Sequence, residues 1–136
     1  MGIFSKLFGP EQPSAPPSNA KRVLVVDASI TTQKVIELTL TAHRLSAAAS
    51  AGEGLAAVSR EPFDLVISAV VLPDGTGYHV CREAKAKGLP VILMPGAFEA
   101  FDRAQAQLAG ADAVVEKPFK PQRLVAEVDR LLAQKH

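Results

Sequence analysis

Residues 63–78 read FDLVISAVVLPDGTGY, and this stretch decides the fold. Residues 64–69 (DLVISA) form a short, largely apolar run, the profile of a buried strand. Turn material stops the run: Pro73, Asp74, Gly75, Thr76 and Gly77 in succession. Residues 78–87 then have helical patterning and are closed by Gly88. A strand, a turn and a helix therefore follow one another within a short span.

The same unit recurs on both sides. Residues 21–27 (KRVLVVD) are a buried strand ended by an acid. Residues 29–41 are helical, with Ser29 as the cap and Ile30, Val35, Leu38 and Ala42 expected to face inward. Residues 45–49 are a weak strand. Ser50 and Glu53 have the spacing of a capping box and open a helix that runs to Arg60. Beyond the central unit, residues 90–94 (PVILM) are a strand. Residues 97–108 are a helix with Phe98, Phe101, Ala104 and Leu108 on one face. Residues 112–116 are a strand, and Pro121–Ala133 is a helix with Pro at its first position. That last helix is expected to bury Leu124, Val125, Val128, Leu131 and Leu132.

The order is (βα)₅, an α/β class. It calls for a five-stranded parallel sheet with helices on both faces and right-handed crossovers. Such sheets place their working site at the carboxyl ends of the strands, near the point where strand order reverses. The residues at those ends are Asp27, Ala69, Pro95 and Lys117.

Composition narrows the function classes. The 136 residues carry 15 Lys+Arg and 14 Asp+Glu, a net charge of +1. A nucleic-acid binder working through a dense basic surface is thereby disfavoured. Cys81 is the single cysteine and makes no internal disulfide. No run approaches the roughly 18 apolar residues of a membrane-spanning helix, and no secretory signal pattern opens the chain. A cytoplasmic protein is expected.

Residues 1–19 differ in texture from the rest. Pro10, Pro13, Pro16 and Pro17 are interleaved with Ser, Gln and Asn, so residues 10–19 read as an extended linker. Ahead of them, Ile3, Phe4, Leu7 and Phe8 fall at helical spacing. The expected division is residues 1–19 as an apolar peptide plus Pro-rich linker without fixed structure, and residues 20–136 as one folded domain.

VLVVDAS, FDLVISAVVLPDGTGY, LPVILMPGA, GADAVVEKPF and the closing amphipathic helix together resemble a bacterial response-regulator receiver domain, the chemotaxis-protein-Y type. The resemblance covers about residues 20–135 and implies the strand order 2-1-3-4-5. Receivers of this family carry an acidic pair after strand 1 and a phosphate-accepting Asp ending strand 3. They carry a Ser or Thr ending strand 4 and a Lys before a Pro ending strand 5. The acids hold Mg²⁺, and the Asp takes a phosphoryl group from a phosphohistidine.

Carried onto this chain, Asp27 matches one member of the acidic pair, and Ala28 stands where the other belongs. Ala69 occupies the acceptor position and Pro95 the Ser/Thr position. Lys117 followed by Pro118 matches, which implies a cis peptide there, and Val114 takes the place of an aromatic switch residue. Alanine has no nucleophile. Pro95 offers neither a hydroxyl nor an N–H. Asp27 alone is a poor remnant of a hard-cation site. The five positions thus read as a degenerate phosphorylation site, with no catalytic residue, no cofactor and no metal.

Other features have plainer readings. Asp27 and Lys117 are expected to pair with each other. Asp74 is a substitute acceptor on one reading and a turn acid before Gly75 on the other. Gly52, Gly54 and Ala57 formally satisfy a dinucleotide fingerprint, but in the second βα turn rather than the first. Ser68 is expected as a small core contact. His43, His79 and His136 show no metal spacing, and His43-Arg44 suggests a cation pair at a helix end.

These readings lead to a stand-alone pseudo-receiver, not an enzyme, acting as a phosphorylation-independent interaction module in two-component-type signalling, in motility or polarity for example. The chain closes directly after its fifth helix, so no fused output domain is expected. The expected partner is a protein, met through the face of the fourth helix, fifth strand and fifth helix, or through residues 1–9. No nucleic acid and no membrane span are expected, and a weak homodimer is a further expectation. The alternatives are a phosphorylatable single-domain regulator with a non-standard acceptor, and a small-ligand sensor using the vacated pocket.

Overall fold

The unbroken apolar run along RVLVV lets one strand build two cores at once. In the computed structural model, which describes residues 20–134, β1 is Arg22–Val26. Its Leu24 and Val26 face one side and its Val23 and Val25 the other. The remaining elements are α1 Ile30–Thr39, β2 Arg44–Ala48, α2 Ala51–Arg60, β3 Leu65–Ala69, α3 Gly77–Ala86, β4 Val91–Met94, α4 Arg103–Ala109, β5 Ala113–Val114 and α5 Pro121–Ala133. All pairings in the five-stranded sheet are parallel, in the order β2-β1-β3-β4-β5. Residues 1–19, with their expected apolar peptide and linker, lie outside the described residues.

The two cores are separate. One joins Leu24, Val26, Val66 and Leu93 of the sheet to Val58 of α2, Val80 and Cys81 of α3 and Ala106 of α4. The other joins Val23, Val25, Ile67 and Ile92 to Ile36 and Leu40 of the α1 region and Leu124, Val128 and Leu131 of α5. β3 is buried at all five positions, because helices cover both of its faces.

Four sequence readings need correction. The inward face of α1 is Ile36, continued by Leu40, whereas Ile30, Val35, Leu38 and Ala42 are exposed to solvent. The fourth helix begins at Arg103 rather than residue 97. Asp102 caps it by accepting the Gln105 amide at 3.1 Å, and the Asp102 amide is held by the Tyr78 hydroxyl at 2.8 Å. Phe98, Ala104 and Leu108 therefore point outward, while Ala106 and Ala109 are buried. The fifth strand shrinks to Ala113–Val114, with one isolated bridge between Gly96 and Lys117. The turn after β3 is itself a small antiparallel hairpin pairing Val71–Leu72 with Gly75–Thr76. Most other boundaries move by a residue or so, as helix and strand ends do. In α5, Val125 and Leu132 are half-buried rather than fully enclosed.

Candidate functional site

Asp27 leaves β1 one residue beyond Val26, which is paired with Ser68 of β3. Its own amide still donates to the Ala48 carbonyl at 2.9 Å, so the backbone is fixed. The carboxylate then has two tasks. Oδ1 accepts the Ser29 amide at 2.8 Å, an Asx-type turn that sets up the N-terminus of α1. Oδ2 accepts the Lys117 ammonium at 3.0 Å. Ser29 caps α1 through the Thr32 amide at 3.1 Å, and the Gln33 side-chain amide donates to the Asp27 carbonyl at 2.6 Å. The sequence reading missed Gln33; no local pattern marks it.

Lys117 is delivered by the segment after β5. Its amide donates to the Pro95 carbonyl at 2.9 Å, and the Lys117–Pro118 peptide is cis. The Asp27 side chain is 6% exposed and that of Lys117 21%. Pro95 and Ala69 are buried, and Ala28 is open to solvent. The structure thus brings Asp27, Ala69, Pro95 and Lys117 to the carboxyl end of the sheet, with Ala28 beside them. Val114 is half-buried on β5.

The donor set does not suit a hard divalent cation. Mg²⁺ asks for several oxygens in near-octahedral array, usually with one or two carboxylates. Ala28 and Ala69 offer no side-chain oxygen, and both oxygens of Asp27 already accept hydrogen bonds. Lys117 places its positive charge against the oxygen a cation would need. Among the described residues no cluster of His, Cys, Asp or Glu is arranged to hold a metal.

Asp74 is engaged elsewhere. Its two oxygens accept the Ala51 and Gly52 amides at 2.7 and 2.9 Å, so it covers the N-terminus of α2 from across the hairpin turn. Those amides, Gly52 first, hold its carboxyl below the usual range. The glycines of α2 serve packing. The Gly52 amide is spent on Asp74, and a Cβ on Gly54 would lie 2.9 Å from a Val26 methyl. Helix and strand meet too closely there for a side chain.

Ser68 is fully buried and donates to the Ala69 carbonyl at 2.9 Å. Cys81 is fully buried, and its thiol reaches the Ala109 carbonyl at 3.4 Å. Burial, followed by the charge of Asp112, pushes that thiol up to about 11. His43, at the end of the α1 region, accepts the Lys21 amide through its Nδ1 at 3.1 Å.

A groove of about 420 Å³ opens beside Lys117, between the start of α1 and the loops after β4 and β5. Thr31, Val35, Gly96, Phe98 and Phe119 are among its walls, and Phe98 is wholly exposed. The Glu99 carboxylate folds back to accept the Gly96 amide at 2.9 Å and shapes this loop.

Comparison with known proteins agrees with this architecture. The response regulator receiver domain family matches residues 23–129. "Probable transcriptional regulator ycf27" of Cyanophora paradoxa is 34% identical over 117 residues, which are 84% of this chain and 49% of that protein. "DNA-binding response regulator MtrA" of Mycolicibacterium smegmatis is 32% identical over 111 residues, 79% of this chain and 49% of that protein. The chain spans about half the length of these relatives. A solved CheY-like response regulator receiver domain protein of Methanospirillum hungatei superposes with a TM-score of 0.78 at 30% identity, covering 84% of this chain and 94% of that one. Among the described residues no helix is long and apolar enough to cross a membrane. With the family model matching residues 23–129, this chain belongs to the response regulator receiver domain family.

Proposed function

We propose that this receiver is a pseudo-receiver: a signalling module that acts by binding a protein partner and takes no phosphoryl group. The observation that carries the reading is the state of the acceptor corner. Ala69 ends β3 without a nucleophile, and Asp27 is closed onto Ser29 and Lys117. Phosphoryl transfer to an aspartate needs a carboxylate oxygen free to attack, and usually a cation to neutralise the incoming charge. The nearby substitute, Asp74, has both oxygens committed to the N-terminus of α2.

On this reading the domain is an adaptor rather than an enzyme, and the α4–β5–α5 face is where its partner docks. Leu108 of α4 is 85% exposed, an apolar side chain with nothing of its own domain to cover it. The test is intact mass after incubation with acetyl phosphate and Mg²⁺. An unchanged mass is expected. A gain of one phosphoryl group, lost in Asp74→Asn, overturns the reading in favour of a non-standard acceptor.

A further inference from the structure

The two edges of the sheet are built differently. β5 is an edge of two residues, Ala113–Val114. β2 is an edge of five, Arg44–Ala48, in unbroken register with β1 from Arg22 and Arg44 to Val26 and Ala48. Proteins blunt long edges with a proline, a bulge or a charge along the strand. RLSAA has no proline and no bulge, and its one charge, Arg44, stands at the end.

The backbone of β2 is half used. The Arg44 amide donates to the Lys21 carbonyl, and the Ala48 carbonyl accepts the Asp27 amide, both at 2.9 Å. Alternation gives Ser46 the same orientation, toward β1, and turns the N–H and C=O of Leu45 and Ala47 away from it. Among the described residues β1 is the one strand paired with β2. The side chains are thinly covered as well. Leu45 is half-buried and Ala47 exposed, and a groove of about 160 Å³ runs between them and Ile30, Gln33, Lys34 and Glu37 of α1.

We infer that this edge pairs with the same edge of a second copy of the chain, β2 antiparallel to β2 about a two-fold axis at Ser46, joining two sheets into one. Three observations carry the assignment to a second copy. The first is the backbone. An axis at Ser46 sets Leu45 opposite Ala47 of the second copy, and these are the residues whose N–H and C=O face outward. Each such pair exchanges both of its hydrogen bonds, and symmetry repeats the exchange. The second is the residue on the axis, which must meet itself. The Ser46 pair is the kind that shares no backbone hydrogen bond, so its Cα atoms lie about 4.5 Å apart. Serine is small enough for that approach, and its hydroxyl both donates and accepts, so two copies satisfy each other.

The third is charge. α1 runs antiparallel to β2, and Lys34 and Glu37 line the same groove as Leu45, Ser46 and Ala47. The axis therefore sets Lys34 of each copy against Glu37 of the other. Their side chains are 67% and 59% exposed, and within one chain they pair with each other at 3.2 Å. On the opposite face, Arg44 lies beside Arg22 across the ladder, and neither Arg44 nor Glu53 has an ion-pair partner among the described residues. The Glu53 carboxylate sits just past the end of β2, accepting the Ala49 amide at 2.9 Å. Antiparallel pairing brings Arg44 to the level of Ala48 of the second copy, next to that carboxylate.

The inference is independent of whether the β3 corner accepts phosphate. The test uses the full chain. Sedimentation equilibrium across the micromolar to millimolar range is expected to show the average mass rising from one chain toward two, while amide exchange at Leu45 and Ala47 slows with concentration. Lys34→Glu alone and Glu37→Lys alone are expected to lose this association, because each sets like charges against itself. An equimolar mixture of the two variants regains it, since each copy then meets its opposite, and that recovery also shows that both variants fold. A single-chain mass at every concentration overturns the inference. Association that persists in each variant alone, or that does not return in the mixture, overturns it in favour of another face. Protection of Leu45 and Ala47 that does not change on dilution overturns it in favour of a cover from the same chain.

Discussion

Lys117 and Asp27, 90 residues apart in sequence, meet at 3.0 Å at the carboxyl end of the sheet. The pair joins the segment after β1 to the segment after β5, and the Asp27 side chain is almost wholly enclosed. Removing the cation leaves a buried carboxylate with the Ser29 amide as its remaining partner.

Lys117→Met is therefore expected to cost about 3 kcal/mol, at the lower end for a broken buried pair because the lysine is partly exposed. The double variant Asp27→Asn with Lys117→Met is expected to lose less than Lys117→Met alone, since no unpaired charge remains. Urea unfolding of the set measures both. A Lys117→Met variant as stable as the parent would mean that solvent reaches Asp27 freely.

Restoring the acceptor alone is not expected to restore chemistry. Ala69→Asp supplies a nucleophile but leaves Ala28 and Pro95 in place, and it sets a second carboxylate near Asp27 and Lys117. Incubation with acetyl phosphate and Mg²⁺ should leave the intact mass of this variant unchanged. A gain of one phosphoryl group would show that Asp27 and Lys117 suffice once a nucleophile is present.

Acid stability should report on two capping carboxylates. Amides hold Asp74 below its ordinary value, Gly52 first and then Ala51; for Asp102 it is the Gln105 amide and then the Gln105 side chain. A carboxyl with a depressed folded pKa adds stability above its unfolded value, about 3.9, and that stability is lost as pH falls through the folded value. Asp74→Asn is thus expected to melt below the parent at neutral pH, with the gap closing as pH drops below about 4. A gap that stays constant with pH would show that the contact does not depend on charge.

Two glycines should respond differently to alanine. A Cβ on Gly77 would stand 2.0 Å from the Ala69 carbonyl oxygen, a backbone atom that cannot step aside. Gly88 has open space but a φ of 78°. Gly88→Ala is expected to cost about 1–2 kcal/mol for the left-handed conformation. Gly77→Ala should exceed that, because overpacking against fixed backbone reaches about 3 kcal/mol. Equal losses would mean that α3 is free to shift from the end of β3.

The strand pattern was easy to read because the parallel sheet buries whole runs such as RVLVV and LVISA, and no competing periodicity exists there. α1 was harder. ITTQKVIELT and the leucine after it hold two apolar sets: Ile36 with Leu40, and Ile30 with Val35 and Leu38. A short helix carrying both does not announce which set the sheet will take, and tertiary packing decided it. For α4, Phe98 and Phe101 extended the apolar pattern backward, while the true start signal was the Asp102 cap. At the site, Asp27, Ala69, Pro95 and Lys117 were legible as strand ends. The bonds from Gln33 to Asp27 and from Asp74 to the amides of α2 were not, because they depend on distances that no local pattern encodes.

The clamp from Asp74 to Ala51 and Gly52 bears on how the molecule breathes. The hairpin after β3 forms the rim beside Ala69, and through that carboxylate it is fastened to the first turn of α2. Lifting the rim gives up two hydrogen bonds from helix amides to a carboxylate, so opening of the hairpin and fraying of the first turn of α2 are coupled. Hydrogen exchange at Ala51 and Gly52 should then track exchange in the hairpin, at a common rate slower than that of an ordinary surface loop. The rim beside position 69 is in that sense a fixed wall rather than a lid.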